Sequence, residues 1–387
     1  MATKKVRMIF SLSVLLCAVS FAAGESAKPQ EPPILTKLHT VSCGKQPKQV
    51  VFSPDGSCIA LPLLDDAGFQ IVQAGDQSVR TMYPPRSAQK GFAEALFVAA
   101  KNAFFISQMT TGYIYEYAWP GFAYRREIKT FGVWPKFISW SREKNMLAVS
   151  NWVSNTVSLI DYETGNLVRT LKTGREPRGT AFTSGGASLI VLCFGGGSIQ
   201  KFDTESGSLI QAIEKEKAAM RHIVINADET KAYVSDMYHC SVYEIDLIRF
   251  TIARSIRVFS NPNTIALYGG RWLFVSSRGP NDPQDYTKRS PVNGRLSVID
   301  IDSWKIVQEV EGGNQPTGLG ISSDGKYLCS SNFQDANIEL YRITPPSALS
   351  SVRASVHTAH PPVRSRALHT LHCLRFQLLS FFSMSAK

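Results

Sequence analysis

Four basic residues stand at matching places along this chain. Lys48, Lys136, Arg178 and Arg221 each directly follow the residue that opens a β-rich segment, and His222 comes immediately after Arg221. Fixed cations gathered at a concave mouth favour an anionic ligand, because low-dielectric walls focus their field. The matching places in two further segments hold Asn263 and Thr317, which add hydrogen-bonding capacity. His222 has the chemistry of a general base, although a histidine inside a core more often serves structure. Trp152, Asp236 and Arg278 fall in turns expected on the same side as those cations, and such turns on a rigid scaffold are where binding groups concentrate. Trp152 reads either as a binding platform or as packing at a loop base.

These places recur because the segments do. Starting at Pro135, four short runs rich in β-branched and aromatic residues follow one another: Lys136–Ser141, Met146–Asn151, Thr156–Asp161 and Asn166–Leu171. Turn-forming clusters separate them. A new unit then opens at Pro177, 42 residues after Pro135. Pro47, Pro262 and Pro316 mark other openings, while Phe92 and Met220 stand where the proline is missing. A four-strand pattern recurring over seven units predicts an all-β, seven-bladed β-propeller of four-stranded blades. The seventh unit has only three strands, and Thr36–Ser42 is free to supply its outer one. Closure by that N-terminal strand also covers an otherwise open sheet edge. Asp161, Asp203, Asp246 and Asp300 end third strands, where an Asp side chain caps the next turn. The sixth unit carries a long polar loop from Arg278 to Gly294.

With G-x-x-P openings, the Ser53-Pro54-Asp55-Gly56 turn, Ala148-Val149-Ser150-Asn151 and a V-x-x-I-D-x-x-T-G pattern, residues 38–343 resemble the YVTN-repeat, YncE-like bacterial propellers. The resemblance implies the fold and an export compartment. It implies little about activity, since propellers host many unrelated ones.

The formal charge of +11 suggests a polyanion partner until its distribution is considered. Lys4, Lys5, Arg7 and Lys28 lie near the N-terminus, and Arg353, Arg364, Arg366, Arg375 and Lys387 lie in a C-terminal stretch without any acid. The body between is nearly neutral. Lys4, Lys5 and Arg7 precede the apolar run Met8–Val19 and then small residues, the three parts of a secretory signal peptide. The expected boundaries are a signal peptide over 1–25, a linker over 26–35, the propeller over 36–343 and a basic, disordered tail over 344–387. The mature chain is expected to be periplasmic or secreted and to lack a transmembrane segment; lipid anchoring at Cys17 is the alternative. Cys43, Cys58, Cys193, Cys240, Cys329 and Cys373 show no C-x-x-C or zinc spacing and read as buried free thiols.

No cofactor or metal is expected. Gly195-Gly196-Gly197 lacks the Lys-Ser/Thr of a phosphate loop, and neither a nucleophile elbow nor H-E-x-x-H occurs. The leading functional reading is a monomeric binding or scaffolding propeller that engages a protein, a glycan or a small anionic ligand. A lactonase-like hydrolase using Asp236, His222, Arg178 and Arg221 is the first alternative. A nucleic-acid-binding propeller is the second, disfavoured by the near-neutral body.

Overall fold

A computed structural model describes residues 32–85, 89–285 and 288–345. The expected signal peptide, linker residues 26–31 and the tail from residue 346 lie outside the described residues, as do Cys17 and Cys373. Within the described residues seven four-stranded antiparallel sheets form the blades. The inner strands are β2 (Val51–Phe52), β6 (Phe92–Val98), β10 (Pro135–Ser141), β14 (Pro177–Thr183), β18 (Met220–Ile225), β22 (Pro262–Tyr268) and β26 (Pro316–Ile321). No described helix is long and apolar enough to cross a membrane.

Burial follows position within each blade. Second strands are almost wholly buried because neighbouring blades cover both faces; β7 (Ala103–Gln108) and β15 (Ser188–Cys193) are buried at every residue. The outermost strands are far more exposed, and two of them alternate. β25 (Lys305–Glu311) exposes Lys305, Val307, Glu309 and Glu311 while partly covering Ile306, Gln308 and Val310, the period of a half-solvated strand. The core is correspondingly a ring. Seven apolar clusters occupy the seven blade–blade interfaces, from Phe69, Phe92 and Phe104 between blades one and two to Leu61 and Cys329 between blades one and seven.

Ring closure has the expected form. β1 (Ile34–Ser42) is the outer strand beside β28 (Asn337–Thr344), with register from Ile34↔Thr344 to Ser42↔Asn337. The turn aspartates act locally: Asp161 accepts the Thr164 N–H at 2.8 Å, and Asp203 accepts that of Ser206 at 2.7 Å. Asp246 accepts the N–H groups of Ile248 and Arg249, each at 2.9 Å, and Asp300 accepts that of Asp302 at 3.2 Å. Cys43, Cys58, Cys193, Cys240 and Cys329 are free thiols. Burial pushes Cys43 up to about 12 and Cys193 up to about 11, so neither is a ready nucleophile.

Six inner strands share an irregularity that aims the candidate site residues. In β10 the pairing with β11 (Met146–Asn151) breaks between Pro135 and Ile138, so Lys136 and Phe137 leave the regular ladder. The same break occurs in β6, β14, β18, β22 and β26. Such a bulge leaves a backbone N–H without a strand partner. A serine on the second strand takes it in five blades: Ser107 for Glu94, Ser150 for Phe137, Ser235 for His222, Ser276 for Thr264 and Ser331 for Gly318. Ser107, Ser235, Ser276 and Ser331 then donate to carbonyls of the following inner-strand segment, at Lys136, Asn263, Thr317 and Pro47. These four serines, in the column of Ser150 of the A-V-S-N segment, are thus blade-to-blade staples. Blade one differs: Pro47 makes an isolated bridge with Leu63, and β2 is two residues long.

Candidate functional site

The first bulged residues are Lys136, Arg178, Arg221, Asn263 and Thr317, with Lys48 in the equivalent place after Pro47. Arg178, 2% exposed, donates from Nη2 to Glu94 Oε1 at 2.6 Å, and Arg221 Nη1 lies 3.8 Å from the same oxygen. Glu94 occupies the second bulged place of blade two, level with Phe137 and His222. Sequence reading missed it because blade two has no opening proline and its first bulged residue is Ala93. Aligning Phe92 with the prolines puts Glu94 in that column.

Aromatic faces line the cations. Lys136 Nζ sits 3.8 Å from the centre of the Trp152 ring and 5.8 Å from that of Trp134, and Arg178 lies 5.9 Å from Trp152. Phe333 receives Lys48 at 5.1 Å and Arg278 at 5.0 Å. Arg278 comes from the base of the long sixth-blade loop and donates to Gln315. That loop is tied to the entrance of blade seven: Ser290 N–H donates to Asn314 Oδ1 at 3.0 Å, and Arg289 pairs with Asp335 at 2.6 Å.

The electrostatics are those of cations crowded beyond their counter-charge. Burial pushes Lys48 well below the usual lysine range, and Arg221, Arg178, Arg278 and Lys136 push it further. Lys136 moves the same way through burial, Arg178 and Arg221, against an opposing pull from Glu94 and Glu176. Guanidinium groups do not give up their proton in proteins, so the repulsion falls on the lysines and on His222. Burial, then Arg221 and Arg178, push His222 down to about 3, making it a neutral imidazole packed 5.6 Å from Phe137. Arg178 Nη1, His222 Nδ1 and Asn263 Oδ1 are buried without a hydrogen-bond partner among the described residues.

The fold therefore brings Lys48, Lys136, Arg178, Arg221, Arg278, Trp152 and His222 together. It does not bring Asp236. That carboxylate ends β19 (Lys231–Asp236) fully buried, and it accepts from Ala219 N–H at 2.8 Å, Tyr238 N–H at 3.0 Å and Tyr243 hydroxyl at 2.7 Å. His239 Nδ1 lies 2.6 Å from Asp236 Oδ2, the oxygen that also accepts from Tyr243. Asp236 holds blade five together and has no lone pair turned to a ligand. A separate groove of about 330 Å³ lies on the opposite face between blades seven and one, lined in part by Asp55, Asp324, Tyr327 and Arg342. Its aspartates already cap their own turns, at Ser57 and Lys326.

Comparison with known proteins gives one curated relative and many structural neighbours. The chain is 35% identical over 311 residues to antigen Lp49 of Leptospira interrogans serogroup Icterohaemorrhagiae serovar copenhageni, spanning 77% of this chain and 68% of that protein. Hydrazine synthase of Kuenenia stuttgartiensis superposes with a TM-score of 0.65 over 79% of this chain and 97% of its own, at 18% identity, a likeness of fold alone. No family model matches, so the likeness to the YVTN-repeat propellers rests on the repeat motifs.

Proposed function

This chain belongs to the family of the Leptospira antigen Lp49, and from that premise we propose that it is an exported, monomeric binding propeller holding an anionic group in the mouth of its channel. One observation carries this reading. Lys48, Lys136, Arg178, Arg221 and Arg278 converge on a mouth whose buried carboxylate, Glu94, is engaged by two of them. A bound anion supplies the missing counter-charge and gives Arg178 Nη1 a partner, which removes the cost of a buried donor left unpaired. Trp152 and Phe333 shield the cations from water on their ring faces, which strengthens attraction to a ligand. The basic charge before Met8 and the apolar run behind it support export.

The lactonase-like alternative draws on Asp236 and His222. Asp236 is committed within its blade, and His222 has its free Nδ1 buried, so the geometry favours binding over hydrolysis.

The test is thermal unfolding of the full chain with inorganic phosphate, citrate, neutral sugars and oligonucleotides. Polyvalent anions are expected to raise Tm with concentration while neutral sugars do not, because only the folded state gathers the cations. The double variant Lys136→Gln/Arg278→Gln, folded but unresponsive to phosphate and citrate, is the expected control. Equal responses of that variant and the parent would remove the mouth from consideration. Oligonucleotide binding with a steep salt slope, and no response to small anions, would point to nucleic acid instead.

A further inference from the structure

We propose that the mouth face docks on an anionic lipid surface, with Phe131, Val133 and Val153 entering the headgroup layer and Lys129, Lys172 and Arg175 facing the lipid phosphates. Phe131 and Val133 lie in the link from β9 (Tyr124–Lys129) to β10, and Val153 lies in the turn between β11 and β12 (Thr156–Asp161). Both connections open on the mouth face, beside the entrance of blade three. The three side chains are 47%, 52% and 50% exposed. Hydrogen bonds lace the two loops together. Val153 N–H donates to the Val133 carbonyl at 3.1 Å, and Val133 N–H donates to Ser154 Oγ at 2.6 Å. Phe131 is held at φ 58°, in the left-handed region that a bulky side chain rarely adopts. Lone exposed apolar residues are ordinary on any surface, but three on two joined loops form a patch.

The flanks of the patch are basic. Lys129 is exposed, with its ammonium 5.6 Å from the centre of the Phe131 ring. On the other side Asn155 ties the same turn to the link into blade four: its carbonyl accepts the Thr173 N–H at 3.0 Å, and its Oδ1 accepts the Glu176 N–H at 2.8 Å. That link brings the exposed Lys172 and Arg175 alongside, while Glu176 is half-buried and acts on Lys136. Trp134 and Trp152 stand behind the patch, where both face Lys136. The opposite face differs: among the described residues Ile248 is the large apolar side chain exposed in its turns, with Asp246 and Arg249 beside it. A bilayer fits the patch better than a protein does. Three side chains supply far less than the ~800 Å² per partner of a specific protein interface. A bilayer asks for no matching shape: it takes apolar tips at its boundary, places aromatic rings at headgroup level and draws cations to its phosphates. The field of the mouth cations adds to that attraction. Docking needs no ligand in the mouth, so it goes beyond the anion reading and can fail without it.

The test is co-sedimentation of the full chain with vesicles, either phosphatidylcholine alone or phosphatidylcholine mixed equally with phosphatidylglycerol, followed by hydrogen exchange of the bound protein. Binding is expected with the anionic vesicles and should be slight with phosphatidylcholine alone. It should weaken as salt shortens the screening length from ~10 Å at 0.1 M to ~3 Å at 1 M. Backbone exchange should slow at residues 129–136 and 151–155 and stay unchanged in the turns of the opposite face. The variant Phe131→Ser/Val133→Ser/Val153→Ser alters exposed side chains only and is expected to melt like the parent and respond to phosphate as the parent does. It should bind anionic vesicles about tenfold more weakly, since it loses the apolar surface that enters the bilayer. Lys129→Gln/Lys172→Gln/Arg175→Gln should reduce the preference for anionic over neutral vesicles. Undiminished binding by the apolar variant, or unchanged exchange at 129–136 and 151–155, would overturn the proposal by placing attachment elsewhere on the chain. No binding to anionic vesicles would overturn it too and leave the patch to a protein partner. A phosphate response in either case keeps the anion reading, whereas vesicle docking without any phosphate response would remove that reading alone.

Discussion

Two buried carboxylates, Asp236 and Glu94, teach opposite lessons about how this fold handles charge. Asp236 meets its needs within one blade, taking N–H groups from the adjoining entrance and loop and a hydroxyl from Tyr243 on the next strand. Its partners lie within 17 residues along the chain, and nothing in the arrangement awaits a ligand. Glu94 depends on blades four and five, through Arg178 and Arg221, 84 residues away in the nearer case. Each cation it engages repels the lysines beside it. The first carboxylate completes a local structure, whereas the second leaves an incomplete one that a bound anion would finish.

Glu94→Gln tests the sharper side of that contrast. Removing one partner of a buried pair leaves the cations uncompensated and is expected to cost about 3–5 kcal/mol of stability. Denaturant unfolding would measure the loss, and phosphate should restore part of it. Full stability in Glu94→Gln without any anion would break the comparison.

Acidification is the next effect. The folded state excludes a proton from His222 down to about 3, whereas the unfolded chain takes one up below 6.5. The unfolded state thus binds more protons in that window, and stability falls as pH drops through it, by roughly a few kcal/mol in all. His222→Leu should flatten the fall between pH 7 and pH 5 in urea titrations. An unchanged slope would place the sensitivity elsewhere.

Asp236→Asn is expected to cost about 1–3 kcal/mol, as charge-assisted bonds weaken, while leaving the phosphate response intact. A lost phosphate response would show that blade five's network is coupled to the mouth. The smallest effect is expected at Asp324, which the Ser322 hydroxyl and the Lys326 N–H hold down to about 2. Its contribution is present above its unfolded value of 3.8 and disappears as pH falls toward about 2. Being exposed, Asp324→Asn should change stability at neutral pH by less than ~1 kcal/mol, measured by urea unfolding.

What was legible in the sequence is what repeats. Strand patterns, turn aspartates and the outer strand missing from the last unit all follow from neighbours close along the chain, and they recur in the expected register. The cations after the opening residues were legible too, because Lys48, Lys136, Arg178 and Arg221 share one column. Glu94 was not, since it stands once, in a blade without the proline, and its meaning comes from arginines two and three blades away. Asp236 misled for the converse reason: a loop-face aspartate looks available until Tyr243 and His239 fold against it. Arg278 was legible as a loop residue, but its contact with Gln315 and Phe333 depends on how the long loop lies over blade seven.

Closure of the disc through β1 and β28 carries a mechanical consequence. Ile34 and Thr344 are paired at the same end of this antiparallel seam. Tension drawing those two residues apart would load the backbone bonds one after another, as in a zipper, instead of shearing all of them at once. A disc joined by apolar interfaces all round its circumference would therefore yield to a modest pull at this one seam.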